Sequence, residues 1–130
     1  YWLNERLRII HGNRVKSRGS TAHVYLGEEK ESIIYGHIHR REYACRSFDT
    51  YKGGREIMAA SPGTLAKVNG EVPSTKGAHD LDGRPLTVVE DWQQGIAIVD
   101  FEDNGSHWFN YENIPIVMGR CKAEGQFFSV

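Results

Sequence analysis

The stretch SIIYGHIHRRE, residues 32–42, decides how this sequence is interpreted. SIIY is a short apolar run with two β-branched isoleucines, and the glycine after it is typical of the end of a buried strand. His37 and His39 come next. A second apolar run, RLRII at residues 6–10, ends in the same manner, at His11. The sequence therefore predicts two strands that are each followed by histidine.

The segment between these two strands predicts a short helix. Ser20 and Thr21 are candidate caps, and apolar residues follow them before a charged end, so we expect helix from Ala22 to Lys30. A strand–helix–strand unit favours parallel neighbouring strands. The carboxyl ends of parallel strands share the sheet edge at which open α/β sheets bind ligands.

This arrangement would bring three histidines to one edge. In extended backbone, residues i and i+2 point to the same side, so His37 and His39 are predicted to face one centre together with His11. Neutral imidazole is a common ligand for zinc, iron, nickel and copper. The three residues together predict a metal or phosphate site.

The remainder of the chain predicts mostly antiparallel strands. Residues 41–51 and 55–61 flank Lys-Gly-Gly and predict a hairpin, and the runs on either side of Asn104-Gly105 predict another. Residues 61–86 are rich in Gly, Pro and Asp and predict a long loop, and the tail predicts one further strand. The predicted fold class is α/β and β-rich, with a mixed sheet and one or two helices.

Composition restricts the classes of protein that are possible. The 130 residues are 39% apolar and 25% charged, which is typical of one globular domain. A net charge of −1 argues against the whole chain acting as a nonspecific nucleic-acid binder. Cys45 and Cys121 do not form a disulfide framework and favour a cytoplasmic protein with reduced thiols. No apolar run approaches the roughly 20 residues of a membrane span, so no membrane association is expected.

Taken together, these motifs resemble the calcineurin-like metallophosphoesterase superfamily. In that family an apolar strand ends in His, and Gly-His-x-His, commonly continued by Arg, follows about one helix and one strand later. The matching segments here are IIHG (9–12), IIYGHIHR (33–40) and SPGT (61–64), the last of which is similar to the family's Asn-Pro-Gly-Ser turn. The resemblance is good over residues 5–66 and looser afterwards. Residues 92–109 look like the C-terminal strands of compact phage-borne or bacterial members.

The resemblance implies a hydrolase with two divalent metal ions, Mn, Fe or Zn, and a phosphate-ester substrate such as a nucleotide or nucleic acid. By position, His11 and His37 would bind one ion and His39 the other. The resemblance also implies a catalytic or substrate-binding role for Arg40, which either orients a phosphate or pairs on the surface. Arg14, with Lys16 and Arg18, would steer the anionic substrate.

The chain departs from the family in its other motifs. The Asp-x-His, Gly-Asp-x-x-Asp and Gly-Asn-His-Asp/Glu segments are absent, and Arg14 follows the only Gly-Asn. We therefore expect residues 1–130 to form one partial domain, the C-terminal half of an αββα sandwich. Its expected parts are a ligand half at 5–66, the loop at 61–86 and C-terminal strands at 93–130. Such a half would be inactive alone and would pair with a complementary N-terminal half chain or with a second copy of itself.

Two other interpretations stay open. The chain could be a non-catalytic partner-binding module whose histidines are relics or hold a single metal. The first strand, RLRII, is expected at an exposed sheet edge, and an unpaired edge favours a partner in either case. The third interpretation is a cupin-type barrel, because His37-x-His39 followed by Glu42 is similar to that family's first metal motif, although the spacing to Glu42 is one residue short.

Overall fold

The structure, a computed structural model, describes residues 1–16, 19–51, 53–66 and 91–130. In these residues it forms one helix and nine strands. They are, in chain order, β1 (Trp2–Asn4), β2 (Leu7–Ile10), α1 (Thr21–Glu28), β3 (Ser32–Tyr35), β4 (Arg41–Thr50), β5 (Gly53–Pro62), β6 (Gly95–Phe101), β7 (Phe109–Pro115), β8 (Arg120–Ala123) and β9 (Gln126–Ser129).

The central element is a five-stranded mixed sheet in the order β1-β2-β3-β5-β4. β2, β3 and β5 are parallel, whereas β1 and β4 run antiparallel to their neighbours. The predicted β-rich α/β class with a mixed sheet is confirmed. The parallel strands and the helix between them contradict the cupin interpretation, because a cupin barrel is antiparallel throughout.

Successive side chains of a strand point to opposite faces of the sheet, and other elements pack on each face. Ile33 and Tyr35 of β3 pack on one face with Leu26 of α1. Ile34 lies on the other face, in a cluster that Val99 and other side chains of the β6–β7 hairpin cover. The layers are therefore helix, five-stranded sheet and two-stranded hairpin. The αββα assignment itself stays a prediction.

Several expectations about single elements are corrected. RLRII is not an exposed sheet edge, because Trp2–Asn4 pairs with it as β1. The tail forms two paired strands, β8 and β9, instead of one. The start of the predicted loop, residues 61–62, belongs to β5, and residues 67–86 lie outside the described residues. The predicted helix and both predicted hairpins are present. Within the described part of the chain, no helix is long and apolar enough to cross a membrane.

A buried asparagine connects the β1–β2 hairpin to the segment between β6 and β7 through hydrogen bonds. Asn4 is 4% exposed. Its amide nitrogen donates to the carbonyl oxygens of Glu102 (3.1 Å) and Trp108 (3.3 Å), and its side-chain oxygen accepts from the backbone N–H of Arg6 at 2.9 Å. This single side chain therefore holds two segments of the chain that are about a hundred residues apart.

We expect Asn4→Ala to lower the free energy of unfolding by about 2 kcal/mol, because it removes the hydrogen bonds of a buried side chain to Arg6, Glu102 and Trp108. Urea denaturation followed by tryptophan fluorescence measures this change. Asn110→Ala is the matched control, since Asn110 is an exposed residue of β7, and we expect it to alter the midpoint little. An equal effect of the two substitutions would contradict the connecting role of Asn4.

Candidate metal centre at the carboxyl edge of the sheet

His11 follows the last residue of β2 and begins a tight loop. Gly12 has a φ of 86°, a conformation that favours glycine, and a Cβ placed there would lie 2.7 Å from the hydroxyl oxygen of Tyr25. The Tyr25 hydroxyl accepts hydrogen bonds from the backbone N–H groups of Asn13 (3.2 Å) and Arg14 (3.3 Å). Helix α1 thus fixes the path of the chain that leaves His11.

His37 and His39 lie in the loop that follows β3. The N–H of Gly36 donates to the carbonyl oxygen of His11 at 2.9 Å, which continues the parallel ladder beyond both strands. The sequence predicted extended backbone for the next residues, and this prediction is wrong: φ is 70° at His37 and 56° at His39. The physical reason is Ile38, which is 5% exposed and packs into the core on the helix side. A bend that buries Ile38 forces the flanking histidines into left-handed conformations.

The structure brings His11 and His37 together. His37 Nδ1 and His11 Nε2 lie 3.3 Å apart, and the two rings meet edge to face with centroids 5.2 Å apart. Two imidazole nitrogens bound to one tetrahedral ion at ordinary bond lengths also lie about 3.3 Å apart. The same separation suits a hydrogen bond between neutral rings of complementary tautomers. The distance therefore fits either two adjacent ligands of one ion or a hydrogen-bonded pair of rings.

His39 has a different neighbour. Its ring meets the ring of Trp92 edge to face at a centroid distance of 4.5 Å, and its carbonyl oxygen accepts from the N–H of Gln93 at 3.0 Å. Among the residues that the structure describes, no group of three or more His, Cys, Asp or Glu side chains is arranged to hold a metal. Trp92 could not be predicted as a neighbour of His39, because no local pattern links two residues that lie more than fifty positions apart.

Arg40 directly follows residues 36–39, the loop that carries His37 and His39 and is called the histidine loop below. Arg40 forms an ion pair with Glu42. Its guanidinium donates to Glu42 Oε1 from Nε at 3.2 Å and from Nη2 at 3.0 Å, and Nη2 also contacts Thr21 Oγ1 and the carbonyl oxygen of Lys16. The side chains of Arg40 and Glu42 are only 11% and 3% exposed. These contacts favour the pairing alternative for Arg40 over phosphate binding. Its catalytic role stays a prediction.

Glu42 is a functional candidate that the sequence argument considered only as part of a cupin motif. Its second oxygen accepts from the backbone N–H of Ala22 at 3.0 Å and from the hydroxyl of Tyr35 at 2.7 Å. The strand pattern contains a signal for this role. Alternation along β4 puts Glu42 on the same face as Ala44 and Phe48, which pack into the core, and a carboxylate on a core face requires partners.

The other predicted substrate ligand is more exposed. Arg14 forms an ion pair with Glu28 of α1 at 3.0 Å, with both side chains about half exposed. The N–H of Lys16 donates to Thr21 Oγ1 at 3.0 Å, and Arg18 lies outside the described residues. Arg14 and Lys16 follow His11 on the same loop, so a role in attracting an anion remains a prediction.

Comparisons with models of protein families, with curated proteins and with solved structures found no match in any of the three. The resemblance to the metallophosphoesterases therefore stays a prediction from the motifs.

Tyr35 generates a prediction about pH. Burial, then the hydrogen bond to Glu42 and the negative charge of that carboxylate, raises the pKa of Tyr35 far above its ordinary value. As the pH rises past about 10, the unfolded chain loses this proton while the folded chain keeps it. Stability should consequently fall above that pH.

We expect the fall in the free energy of unfolding between pH 9 and pH 11 to be smaller in Tyr35→Phe than in the unsubstituted protein. Urea denaturation at several pH values measures the slope. Tyr1→Phe, at a residue that is 85% exposed, serves as the control and should keep the original slope. A Tyr35→Phe slope that matches the original would contradict the assignment.

Proposed function

We propose that this chain supplies histidine ligands to a metal centre that hydrolyses phosphate esters. His11 and His37 hold one divalent ion, and His39 contributes to a second. The observation that carries the proposal is the 3.3 Å separation of His11 Nε2 and His37 Nδ1 at the carboxyl edge of two parallel strands. Ligands bind at that edge in open α/β sheets.

The donor set fits part of a metal centre. Imidazole nitrogen is a suitable ligand for zinc, iron and, less strongly, manganese. Two imidazoles leave positions free on either a tetrahedral or an octahedral ion, and a catalytic site requires such open positions. A bound pair of ions would polarise the phosphoryl group and make a hydroxide available near neutral pH.

Completion of the centre requires carboxylates, because neutral imidazoles alone do not balance the charge of two divalent ions. The proposal assigns these carboxylates to another segment or chain, either a complementary N-terminal half or a second copy. It also assigns the substrate to the phosphate esters, nucleotides and nucleic acids included, with Arg14 attracting the anion. The cytoplasm remains the proposed location, in keeping with the free thiols of Cys45 and Cys121.

The chain's own residues orient the ligands in this proposal. The Gly36 N–H donates a hydrogen bond to the carbonyl oxygen of His11, and this bond places His37 beside His11. Trp92 restricts the ring of His39 through its edge-to-face contact. Held rings lose little freedom when they bind an ion, which favours binding.

A second candidate function is a partner-binding module with a single metal. Two observations favour it: within the described residues no third His, Cys, Asp or Glu side chain joins His11 and His37, and the β8–β9 hairpin is strongly exposed. Phe127 is 81% exposed and Phe128 is 52% exposed. In this alternative His11 and His37 hold one ion that stabilises the sheet edge, and no hydrolysis occurs.

Zinc titration by calorimetry tests the shared part of both proposals. We expect the chain to bind zinc and His11→Ala or His37→Ala to weaken the binding at least tenfold, since each removes one of two converging ligands. His23→Ala is the matched control, because His23 is an exposed residue of α1. Unchanged affinity in His37→Ala would remove the basis for a metal centre at this edge.

Hydrolysis separates the two proposals. The phosphoesterase proposal predicts cleavage of bis(4-nitrophenyl) phosphate in the presence of manganese once the carboxylate-bearing segment or chain is added, and loss of that cleavage in His37→Ala. A complex that binds metal at His11 and His37 but does not cleave the ester would favour the module.

A further inference from the structure

The carboxylate of Glu42 binds the residues at both ends of the histidine loop, residues 36–39. Tyr35 immediately precedes residues 36–39, and its hydroxyl donates to Glu42 Oε2 at 2.7 Å. Arg40 immediately follows them, and its guanidinium donates twice to Glu42 Oε1. Both ends of the loop that carries His37 and His39 are therefore bound to the same side chain.

Arg40 also connects the Glu42 carboxylate to the loop that begins at His11. The Arg40 Nη2 donates to the carbonyl oxygen of Lys16 and to Thr21 Oγ1, which itself accepts from the N–H of Lys16. Residues 11–16 form the loop that begins at His11. Glu42 Oε2 also accepts from the N–H of Ala22 in the first turn of α1. One buried group consequently links the helix and both histidine-bearing loops.

The loop requires such a restraint. Left-handed backbone at a residue other than glycine raises the free energy by about 1 kcal/mol or more, and it persists only where the surroundings enforce it. His37 and His39 are both in that conformation within three residues. The burial of Ile38 enforces it from the middle, and the contacts of Glu42 enforce it from both ends.

We propose that Glu42 is a positioning residue that holds His37 against His11. This inference rests on the proposed metal centre for its purpose, but the positioning itself can be measured without a metal. Glu42 does not act as a ligand or as an acid here, since its oxygens already accept hydrogen bonds from Arg40, Tyr35 and Ala22.

Glu42→Gln is the most selective test variant. Its single carbonyl oxygen can still accept from Tyr35 and Ala22, whereas its NH₂ group would face the donors of Arg40 and release the guanidinium. Arg40→Met is the second variant, which frees the same end of the loop and leaves Tyr35 and Ala22 bound. Glu29→Gln is the matched control, because Glu29 forms a partly buried ion pair with Arg8 at the far end of α1.

Two measurements on the unsubstituted chain and these three variants decide the matter. The first is the ¹⁵N spectrum of the imidazole rings in the absence of metal, which distinguishes a fixed tautomer from exchange between tautomers. The second is zinc affinity by calorimetry. Urea denaturation of each variant establishes that the folded state is the one observed.

We expect fixed tautomers for His11 and His37 in the unsubstituted protein and in Glu29→Gln, because a paired ring donates from one nitrogen only. Glu42→Gln and Arg40→Met should show averaged ring signals for His37 and a zinc affinity about 10- to 100-fold lower. Identical ring spectra and equal zinc affinity in all four proteins would overturn the positioning role. If either Glu42→Gln or Arg40→Met does not fold, the other variant decides by the same criteria.

The same measurements distinguish a failure of the proposed metal centre from a failure of the positioning role of Glu42. Absence of zinc binding in the unsubstituted protein would overturn the proposed function, and the ring spectra would still decide whether Glu42 positions His37. Equal zinc affinity and identical ring spectra in all four proteins would support the metal centre and refute the positioning role.

Discussion

The parallel ladder between β2 and β3 is the constraint on which the candidate site depends. Its register pairs Ile10 with Tyr35, and the Gly36 N–H continues it to the carbonyl oxygen of His11. Because the strands are parallel and in this register, both leave the sheet at the same level and on the same edge. The 3.3 Å approach of His11 and His37 follows from this pairing. A slip of the register by one residue would also turn the isoleucines of β3 to the opposite faces.

Burial on the helix side then shapes the loop beyond the ladder. Ile38 packs into the core and bends the chain, and the buried Glu42 fixes the residues on either side of that bend. A buried ion pair contributes little net stability, but the loss of one partner is strongly unfavourable. The pair of Arg40 and Glu42 is consequently better understood as a determinant of local conformation than as a source of stability. His39, on the other side of Ile38 in the chain, contacts the ring of Trp92.

The sequence predicted those features that arise from local patterns. The apolar runs of β2 and β3, the helix between them and the hairpin of β4 and β5 are all present. The parallel placement of His11 and His37 followed from the connection rules for such units. The conformation at residues 37–39 could not be predicted in this way, because the burial of Ile38 is a tertiary effect that overrides the extended pattern. β1 was missed because three residues carry too short a pattern, and the contact between Trp92 and His39 joins segments far apart in the chain.

Zinc-edge anomalous diffraction from crystals of the zinc-loaded chain would locate an ion that His11 and His37 hold at the carboxyl edge of the parallel strands. We expect an anomalous peak within about 2.1 Å of both His11 Nε2 and His37 Nδ1, with the backbone of both loops unchanged. A peak at other side chains only, or two rings that remain hydrogen-bonded to each other at saturating zinc, would contradict it.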